Sequence, residues 1–385
     1  MNGPASSVST LANASDAVFM DLALELATRG VALVSPNPMV GAVLVRNGRI
    51  VGEGFHTYER IHHAEINAIE AAKEAAGGAT LYINLEPCCH MGRTGPCTKA
   101  VIAAGIARVV AAMTDPNPSV AGRGFKELRA AGMEVSVGLR EAEARLLAEA
   151  FARWIVSRRP LVTLKSALTL DGQLVLPHRG GRARPPLKDR WISSPESRAE
   201  VQRMRHASDA LLTGIGTVLG DDPLLNDRTG LPRRRKLLRV VMDSRLRLPL
   251  RSRLVRSADG DVLVFTRARE DSPQARALRR AGVEVVRLAG RGTRPDLRAV
   301  VAELGHREML SVLLEAGATL NFAALAAGIV DKMRLFYAPK VAGFVGGTAL
   351  SNGFRAVREL HSFTTARFGV DFAIEGYLRD VYRTG

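Results

Sequence analysis

The sequence predicts an α/β protein made of two domains. Its 385 residues are more than one hydrophobic core ordinarily serves. Helix-like and strand-like segments alternate through both halves. A long helical stretch ends at Pro160, which places the expected domains at 16–145 and 160–385.

Composition narrows the function. A hydrophobic content of 46% with interspersed charge suits a globular chain in water, and no apolar run approaches the ~20 residues of a membrane span. Met1 to Ser15 is small and polar, without a basic segment leading into an apolar one, so it reads as a tail rather than a signal peptide. Three cysteines cannot close a disulfide framework, which favours metal binding or catalysis and a cytoplasmic setting. The net charge of +16 admits a nucleic-acid surface, a site for anionic small molecules, or arginine-rich composition alone. Aromatic content of 5%, with no basic-aromatic interleaving, counts against nucleic acid.

In the first half, Ser15-Asp16 offers a helix cap, and Val18, Phe19, Leu22 and Leu26 recur at helical spacing until Gly30. Ser35-Pro36-Asn37-Pro38 is a turn. Val40 to Val45 and Ile50 to Gly54 flank Asn47-Gly48, whose residues tolerate the positive φ of a tight hairpin. His63 to Ala76 reads as a helix and Ala79 to Leu85 as a buried strand. A helix opens near Pro96 and runs to Ala104. A strand at Arg108 to Met113, a helix at Ala121 to Ala131 and a strand at Met133 to Val137 follow. Leu139 to Ser157, rich in Ala, Glu and Arg, reads as an exposed helical connector.

All the cysteines fall within Cys88 to Cys97, with His63-Ala64-Glu65 upstream. One imidazole and two thiolates, His63, Cys88 and Cys97, match a catalytic zinc set with an open fourth position. His63 and Cys97 lie at helix starts, where partial positive charge favours thiolate. Glu65 is the natural proton carrier. The pattern approximates the zinc-deaminase signature H-x-E then P-C-x-x-C, with one departure: eight residues separate Cys88 from Cys97. Cys89 is a competing ligand, but Pro87-Cys88 fits the signature better. Taken alone, Asn37 between prolines is a turn residue and Asp115-Pro116-Asn117-Pro118 only a loop.

Taken together, Pro36-Asn37-Pro38-Met39-Val40-Gly41, Gly52-Glu53-Gly54-Phe55-His56, His63-Ala64-Glu65, the stretch from Leu85 to Cys97, and Asp115-Pro116-Asn117-Pro118 resemble the bifunctional deaminase-reductases of riboflavin biosynthesis. The long loop between the cysteines is typical of that family. The resemblance implies a cytidine-deaminase-like three-layer α/β/α first domain. It implies hydrolytic deamination of 2,5-diamino-6-ribosylamino-4(3H)-pyrimidinone 5′-phosphate, with Asn37, His56, His90, Arg93, Asp115 and Asn117 lining the pocket. A carboxamide can read a pyrimidine edge, and His90 and Arg93 can meet the phosphate.

The second half predicts a doubly wound, mostly parallel sheet. Its strands are Leu161 to Leu168, Ala210 to Gly214, Leu237 to Asp243, Val262 to Thr266, Val283 to Leu288 and Ser311 to Glu315, with Lys332 to Ala338 and Phe372 to Tyr382 as an antiparallel edge. Two glycine-bearing loops, Thr213-Gly214-Ile215-Gly216-Thr217 and Glu315-Ala316-Gly317-Ala318-Thr319, follow strands and could offer backbone N–H groups to phosphate. Met242-Asp243-Ser244-Arg245 suits a 2′-phosphate, hence NADPH.

These loops, with Lys165 to Gly172, Trp191-Ile192 and Asp209 to Pro223, resemble the family's reductase half. That implies a dihydrofolate-reductase-like fold and NADPH-dependent reduction of the ribosyl group to ribityl. Carried over by motif, Ala167, Trp191, Thr217, Asp221, Ser244, Gly317, Ala318, Thr319 and Leu320 border the cofactor. Arg205, Leu225, Arg228 and Glu315 touch the substrate. Lys165, a lysine at a strand's centre, is the candidate for protonating or polarising the ribosyl oxygen or nitrogen, with pairing to a nearby carboxylate as the alternative. The sequence departs from the family in an Arg- and Pro-rich insertion, Pro177 to Asp189, with Asp189 where a serine is usual. Arg182, Arg184 or Lys188 could compensate there. It departs again at Ala316, in place of glycine.

The expected cofactors are therefore Zn2+ and NADPH. The expected partners are a small phosphorylated pyrimidine and further copies of the chain, with neither nucleic acid nor membrane. A deaminase of another base, its second half used only for binding, is the alternative.

Overall fold

The computed structural model describes residues 6–174, 191–289, 292–343 and 358–383, with residues 6–15 described by their backbone alone. Contacts divide the chain into one unit of Met1–Ser157 with Pro232–Arg234 and another of Arg158–Leu231 with Arg235–Gly385.

In the first unit, α1 (Ser6–Thr28) precedes the hairpin β1 (Gly41–Arg46) and β2 (Arg49–Phe55). Asn47 and Gly48 take φ of 52° and 72°, the left-handed pair that a two-residue hairpin requires. Helix α2 (Ala64–Ala72) continues as a 3₁₀ turn, Lys73–Ala76. Then come β3 (Thr80–Ile83), α3 (Cys97–Ala103), β4 (Arg108–Ala111), α4 (Arg123–Ala130), β5 (Glu134–Val137) and α5 (Glu141–Ser157). The sheet order is β2-β1-β3-β4-β5, antiparallel through the hairpin and parallel from β3 to β5. One face packs Ala42, Leu44, Leu81 and Val109 against Ala64, Ala68, Val101 and Leu128 of α2, α3 and α4. Helices α1 and α5 pair with each other, and α1 packs on β1 and β3. That is the three-layer arrangement.

Helix α2 lies very close to β2. A Cβ on Gly54 would stand 2.2 Å from the Ala64 carbonyl oxygen, and one on Gly52 2.2 Å from that of Ala68. Glycine at these two positions sets the depth at which the first turn of α2 presents its side chains.

Two expectations fail here. Helix α1 begins at Ser6, well upstream of the Ser15-Asp16 cap, because nothing between Ser6 and Asp16 breaks a helix. The Asp16 carboxylate instead accepts from Tyr82 and takes both Nη atoms of Arg108 at 3.1 and 2.8 Å. Helix α5 is not an exposed connector. It buries Ala144, Ala148, Phe151, Ala152 and Trp154 along one face, a stripe the charged residues between them mask.

The second unit runs through β6 (Leu161–Thr169), α6 (Pro195–Ala207), β7 (Ala210–Gly214), α7 (Ile215–Asp221), β8 (Leu238–Met242), α8 (Arg253–Arg256) and β9 (Val262–Thr266). It continues with α9 (Pro273–Arg280), β10 (Val283–Arg287), α10 (Leu297–His306), β11 (Ser311–Leu314), α11 (Ala318–Ala326), β12 (Lys332–Ala338), β13 (His361–Phe368) and β14 (Asp371–Tyr377). The order is β10-β9-β8-β7-β11-β6-β12-β14-β13.

Alternation sorts the strand residues between two cores. Ala210, Leu212, Val240, Leu263 and Phe265 pack with α10 and α11, while Leu211, Val241, Val262 and Val264 pack with α7, α8 and α9. Helices therefore cover both faces, as the near-continuous apolar runs of a parallel sheet demand.

The expected antiparallel pair forms, β12 with β14, but it is not the edge of the sheet. Strand β12 pairs parallel with β6, and the antiparallel partner of β14 on its far side is β13, which the sequence did not suggest. Residues His361 to Arg367 of β13 are exposed, so the strand lacks the buried alternation that would mark it. The Pro177 to Asp189 insertion, with Arg182, Arg184, Lys188 and Asp189, lies outside the described residues.

Candidate active sites

Three backbone segments converge in the first unit. His63 is the extended N-cap residue of α2, Cys88 follows β3, and Cys97 is the first residue of α3. Their ligand atoms lie within 4.8 Å of one another. His63 Nδ1 is 3.2 Å from Cys97 Sγ and 3.6 Å from Cys88 Sγ. Those spacings are close to the edges of a tetrahedral zinc site, roughly 3.5 Å for metal bonds of about 2.0–2.3 Å, so the donor set fits zinc. Cys89 stands outside this cluster, which favours Cys88 over it. The hydrogen bond with Cys97 and the His63 imidazole push the Cys88 thiol down, while the Cys97 thiol is pushed up by its link to Cys88 and by burial. The hydrogen bond with Cys88 raises His63.

Glu65, the second residue of α2, is 3% exposed, and its Oε2 is buried with no hydrogen-bond partner among the described residues. Burial raises its carboxyl, and its other interactions are with His63, Cys88 and Cys97. A carboxyl so placed is suited to exchange protons beside the metal.

His56 packs edge-on to His63 with ring centroids 5.0 Å apart. Burial pushes its pKa down to about 4, so the ring is neutral. Its Nδ1 donates to the His62 carbonyl at 3.2 Å, and its Nε2 accepts from Asn37 Nδ2 at 2.9 Å. Burial also pushes Asp115 up to about 7, with Glu86, Cys88 and Glu65 close enough to contribute. Asp115 Oδ1 accepts from the Asn117 amide, and Asn117 Oδ1 from the Ser119 amide. Arg93 lies 4.4 Å over the Tyr58 ring and donates to the Tyr58 carbonyl at 3.2 Å. His90 is exposed on the loop between the cysteines, and no contact among the described residues brings it to the cluster.

The second site centres on a charged cluster at the carboxyl side of the parallel strands. Glu315, just past β11, takes Arg205 of α6 in a bidentate pair at 2.7 and 3.0 Å. Lys165 Nζ on β6 stands 3.8 Å from its Oε2. Thr213 on β7 donates to the Glu315 carbonyl at 2.7 Å and fixes its backbone. Burial works to raise the Glu315 carboxyl, but Arg205 and Lys165 outweigh it and hold it below the usual range. Burial lowers Lys165 below the ordinary lysine range. The carboxylate partner considered for Lys165 is thus Glu315, whereas no local pattern discloses the Arg205–Glu315 pair, which spans 110 positions.

The remaining expected residues divide. Ser244 after β8, Thr217 on α7, and Gly317 to Leu320 opening α11 all gather at the carboxyl ends of adjacent parallel strands. A Cβ on Gly216, in the first turn of α7, or on Gly317, the N-cap residue of α11, would meet nothing within 4 Å, so neither backbone position is covered by a neighbouring group of the described residues. Asp221 ends α7 at the surface. Ala167 shares a strand face with Lys165, and the half-exposed Trp191 ring carries Arg198 at 3.8 Å. Arg228 is exposed, and partial desolvation and Arg205 lower its guanidinium. Leu225 is turned the other way: in left-handed backbone with φ 56°, it buries its side chain in the second core. Arg205 is likewise engaged, its Nη1 donating to the Asn226 carbonyl while Nε and Nη2 hold Glu315.

Comparison with known proteins agrees with this geometry. Residues 13–113 match the cytidine and deoxycytidylate deaminase zinc-binding region, and residues 160–371 the RibD C-terminal domain. The riboflavin biosynthesis protein RibD of Actinobacillus pleuropneumoniae is 39% identical over 378 residues, 97% of each chain. Its counterpart in Escherichia coli is 41% identical over 342 residues, covering 85% of this chain and 89% of that one. The structure of Acinetobacter baumannii RibD superposes with a TM-score of 0.79 at 34% identity, over 95% of this chain and 99% of that chain. A Thermotoga maritima structure described as a diaminohydroxyphosphoribosylaminopyrimidine deaminase/5-amino-6-(5-phosphoribosylamino)uracil reductase gives the same TM-score. With a zinc-type donor cluster in one half and a reductase fold in the other, the chain belongs to the RibD family, the bifunctional deaminase-reductases of riboflavin biosynthesis.

Proposed function

We propose that His63, Cys88 and Cys97 hold the zinc of the deaminase and that Glu65 carries its protons. The substrate on this reading is 2,5-diamino-6-ribosylamino-4(3H)-pyrimidinone 5′-phosphate, in which water replaces a ring amine that leaves as ammonia. The observation that carries the reading is the three-donor cluster with the unpartnered, buried Glu65 Oε2 beside it. Zinc, when bound, makes water nucleophilic near neutral pH. Glu65 accepts a proton on the way in and delivers one to the departing amine, a dual role that its raised pKa favours. Neutral His56 occupies the Asn37 NH₂ group and leaves the carboxamide oxygen to accept from the pyrimidine. Asp115 and Asn117 border the same pocket, and His90 and Arg93 serve the phosphate end.

In the second unit the deaminated phosphate meets Lys165, Arg205, Arg228 and Glu315. NADPH supplies the hydride that reduces the ribosyl group. Glu315 keeps Lys165 near its own carboxylate, and Lys165 supplies the proton. Arg228, exposed at the rim, is the better placed of the two arginines for the phosphate. The domain limits we propose are 16–145 and 160–385. The chain works as a cytoplasmic homo-oligomer on small molecules rather than on nucleic acid. Its free cysteines suit a reducing compartment, and among the described residues no helix is long and apolar enough to cross a membrane.

Glu65→Gln tests the deaminase assignment. The variant is expected to retain zinc and lose deamination by about 10²–10⁴-fold, with NADPH oxidation on the deaminated substrate unchanged. Deamination at the unaltered rate would remove Glu65 from the mechanism.

A further inference from the structure

Glu86, next to Pro87-Cys88, has no place in the chemistry above, yet its carboxylate is among the most heavily engaged in the first unit. It is 3% exposed. Oε2 accepts the Asp115 amide at 3.1 Å and the Gly122 amide at 2.8 Å. Oε1 accepts the Gly124 amide at 2.9 Å and the Phe125 amide at 3.3 Å. Four backbone N–H groups thus converge on one side chain. Two of them, Gly124 and Phe125, belong to the first turn of α4, whose N-cap residue Gly122 has no side chain to cap it. Asp115 opens the loop that leads to Asn117.

Backbone packing closes the same junction. A Cβ on Gly124 would stand 2.3 Å from the Pro87 carbonyl oxygen and 3.1 Å from Glu86 Oε1. One residue further, the Cys88 carbonyl accepts the Thr98 amide at 3.2 Å, and Thr98 Oγ1 donates to Glu127 of α4 at 2.9 Å. The segment that ends in a metal ligand is therefore joined covalently to Glu86. The loop that carries Asp115 and Asn117 is joined to it by hydrogen bonds.

We infer that Glu86 is a positioning residue that sets the distance between the metal-binding segment and the substrate-binding loop of the deaminase. The inference rests on the reading of Asp115 and Asn117 as substrate contacts. The carboxylate is required because each of its oxygens receives a pair of donors, and no other side chain of this length offers two negatively charged acceptors. A glutamine could serve one pair only, and its NH₂ group would face the other pair donor to donor. The loop would then move away from the metal segment, while His63, Cys88, Cys97 and Glu65, held by α2 and α3, would stay in place. Binding should suffer more than turnover.

The test uses the full-length zinc-loaded chain, with three variants: Glu86→Gln, Glu86→Asp and Asn117→Ala. Metal content and NADPH oxidation on the deaminated substrate report on folding in both units. Glu86→Gln is expected to raise the KM for the diaminopyrimidine phosphate by about tenfold or more while kcat stays within about threefold. Zinc should remain at about one per chain and reductase activity at the unaltered level. Glu86→Asp keeps both oxygens but withdraws them by one methylene, so its KM should fall between the two; it decides by the same criteria should Glu86→Gln fail to fold. An unaltered KM in Glu86→Gln beside a raised KM in Asn117→Ala would overturn the role of Glu86 and leave the substrate loop standing. An unaltered KM in Asn117→Ala would overturn the substrate loop and the inference with it. Loss of zinc or collapse of kcat in both Glu86 variants would also overturn it, since Glu86 would then serve the metal segment alone.

Discussion

At the site we propose for the deaminase the groups come from two short stretches, His63 to Glu65 and Cys88 to Cys97, each fixed by a strand end or a helix start. In the cluster we propose for the reductase, Lys165, Arg205 and Glu315 come from β6, α6 and the end of β11, far apart in sequence, and are held by one another's charge. The first centre depends on backbone placement: glycines that let α2 settle on β2, and Glu86 gathering four amides. The second depends on a balance of buried ions. The difference predicts that the first site tolerates the loss of a proton carrier without structural change, whereas the second does not tolerate the loss of its anion.

Glu315→Gln would sharpen that contrast most. It removes the carboxylate that Arg205 and Lys165 share, and breaking a buried pair in this way costs roughly 3–5 kcal/mol. Denaturant unfolding should show that loss in the second unit, together with lost NADPH oxidation, while deamination continues at the unaltered rate. A Glu315→Gln chain of unaltered stability would mean that the cluster is not held together by its charges.

Next in size is a pH effect confined to the first unit. The folded pKa of His56, about 4, lies below its ordinary 6.5. Stability from the neutral ring is therefore fully present above 6.5 and is lost as pH falls through about 4, a difference of roughly 3 kcal/mol. Unfolding measured between those values should show the slope in the unaltered chain and a flatter one in His56→Gln. Equal slopes would assign the acid sensitivity of this unit elsewhere.

The smallest effect concerns Ala316, where the family usually has glycine. Ala316 is not among the residues with left-handed φ, and its methyl packs against the core of the second unit. Ala316→Gly should change the KM for NADPH by no more than about twofold. A larger improvement would show that the methyl crowds the cofactor.

How far the sequence disclosed this molecule follows from the same contrast. His63, Glu65, Cys88 and Cys97 were legible because metal chemistry constrains spacing along the chain. The strands of the second sheet were legible because their apolar runs are continuous. Helix α5 was misjudged because its buried stripe is diluted by Glu and Arg on the other faces, and β13 was missed because an exposed strand carries no alternation. The Arg205–Glu315 pair, the His56–Asn37 hydrogen bond and the amides around Glu86 are products of tertiary folding, and no local pattern announces them.

The division of labour between two separate centres is tested most directly by following ammonia release and NADPH absorbance together, before and after zinc is removed with a chelator. Zinc removal should abolish NADPH oxidation from the diaminopyrimidine phosphate and leave that from the already deaminated phosphate unchanged. NADPH oxidation lost from both substrates, or retained from both, would contradict it.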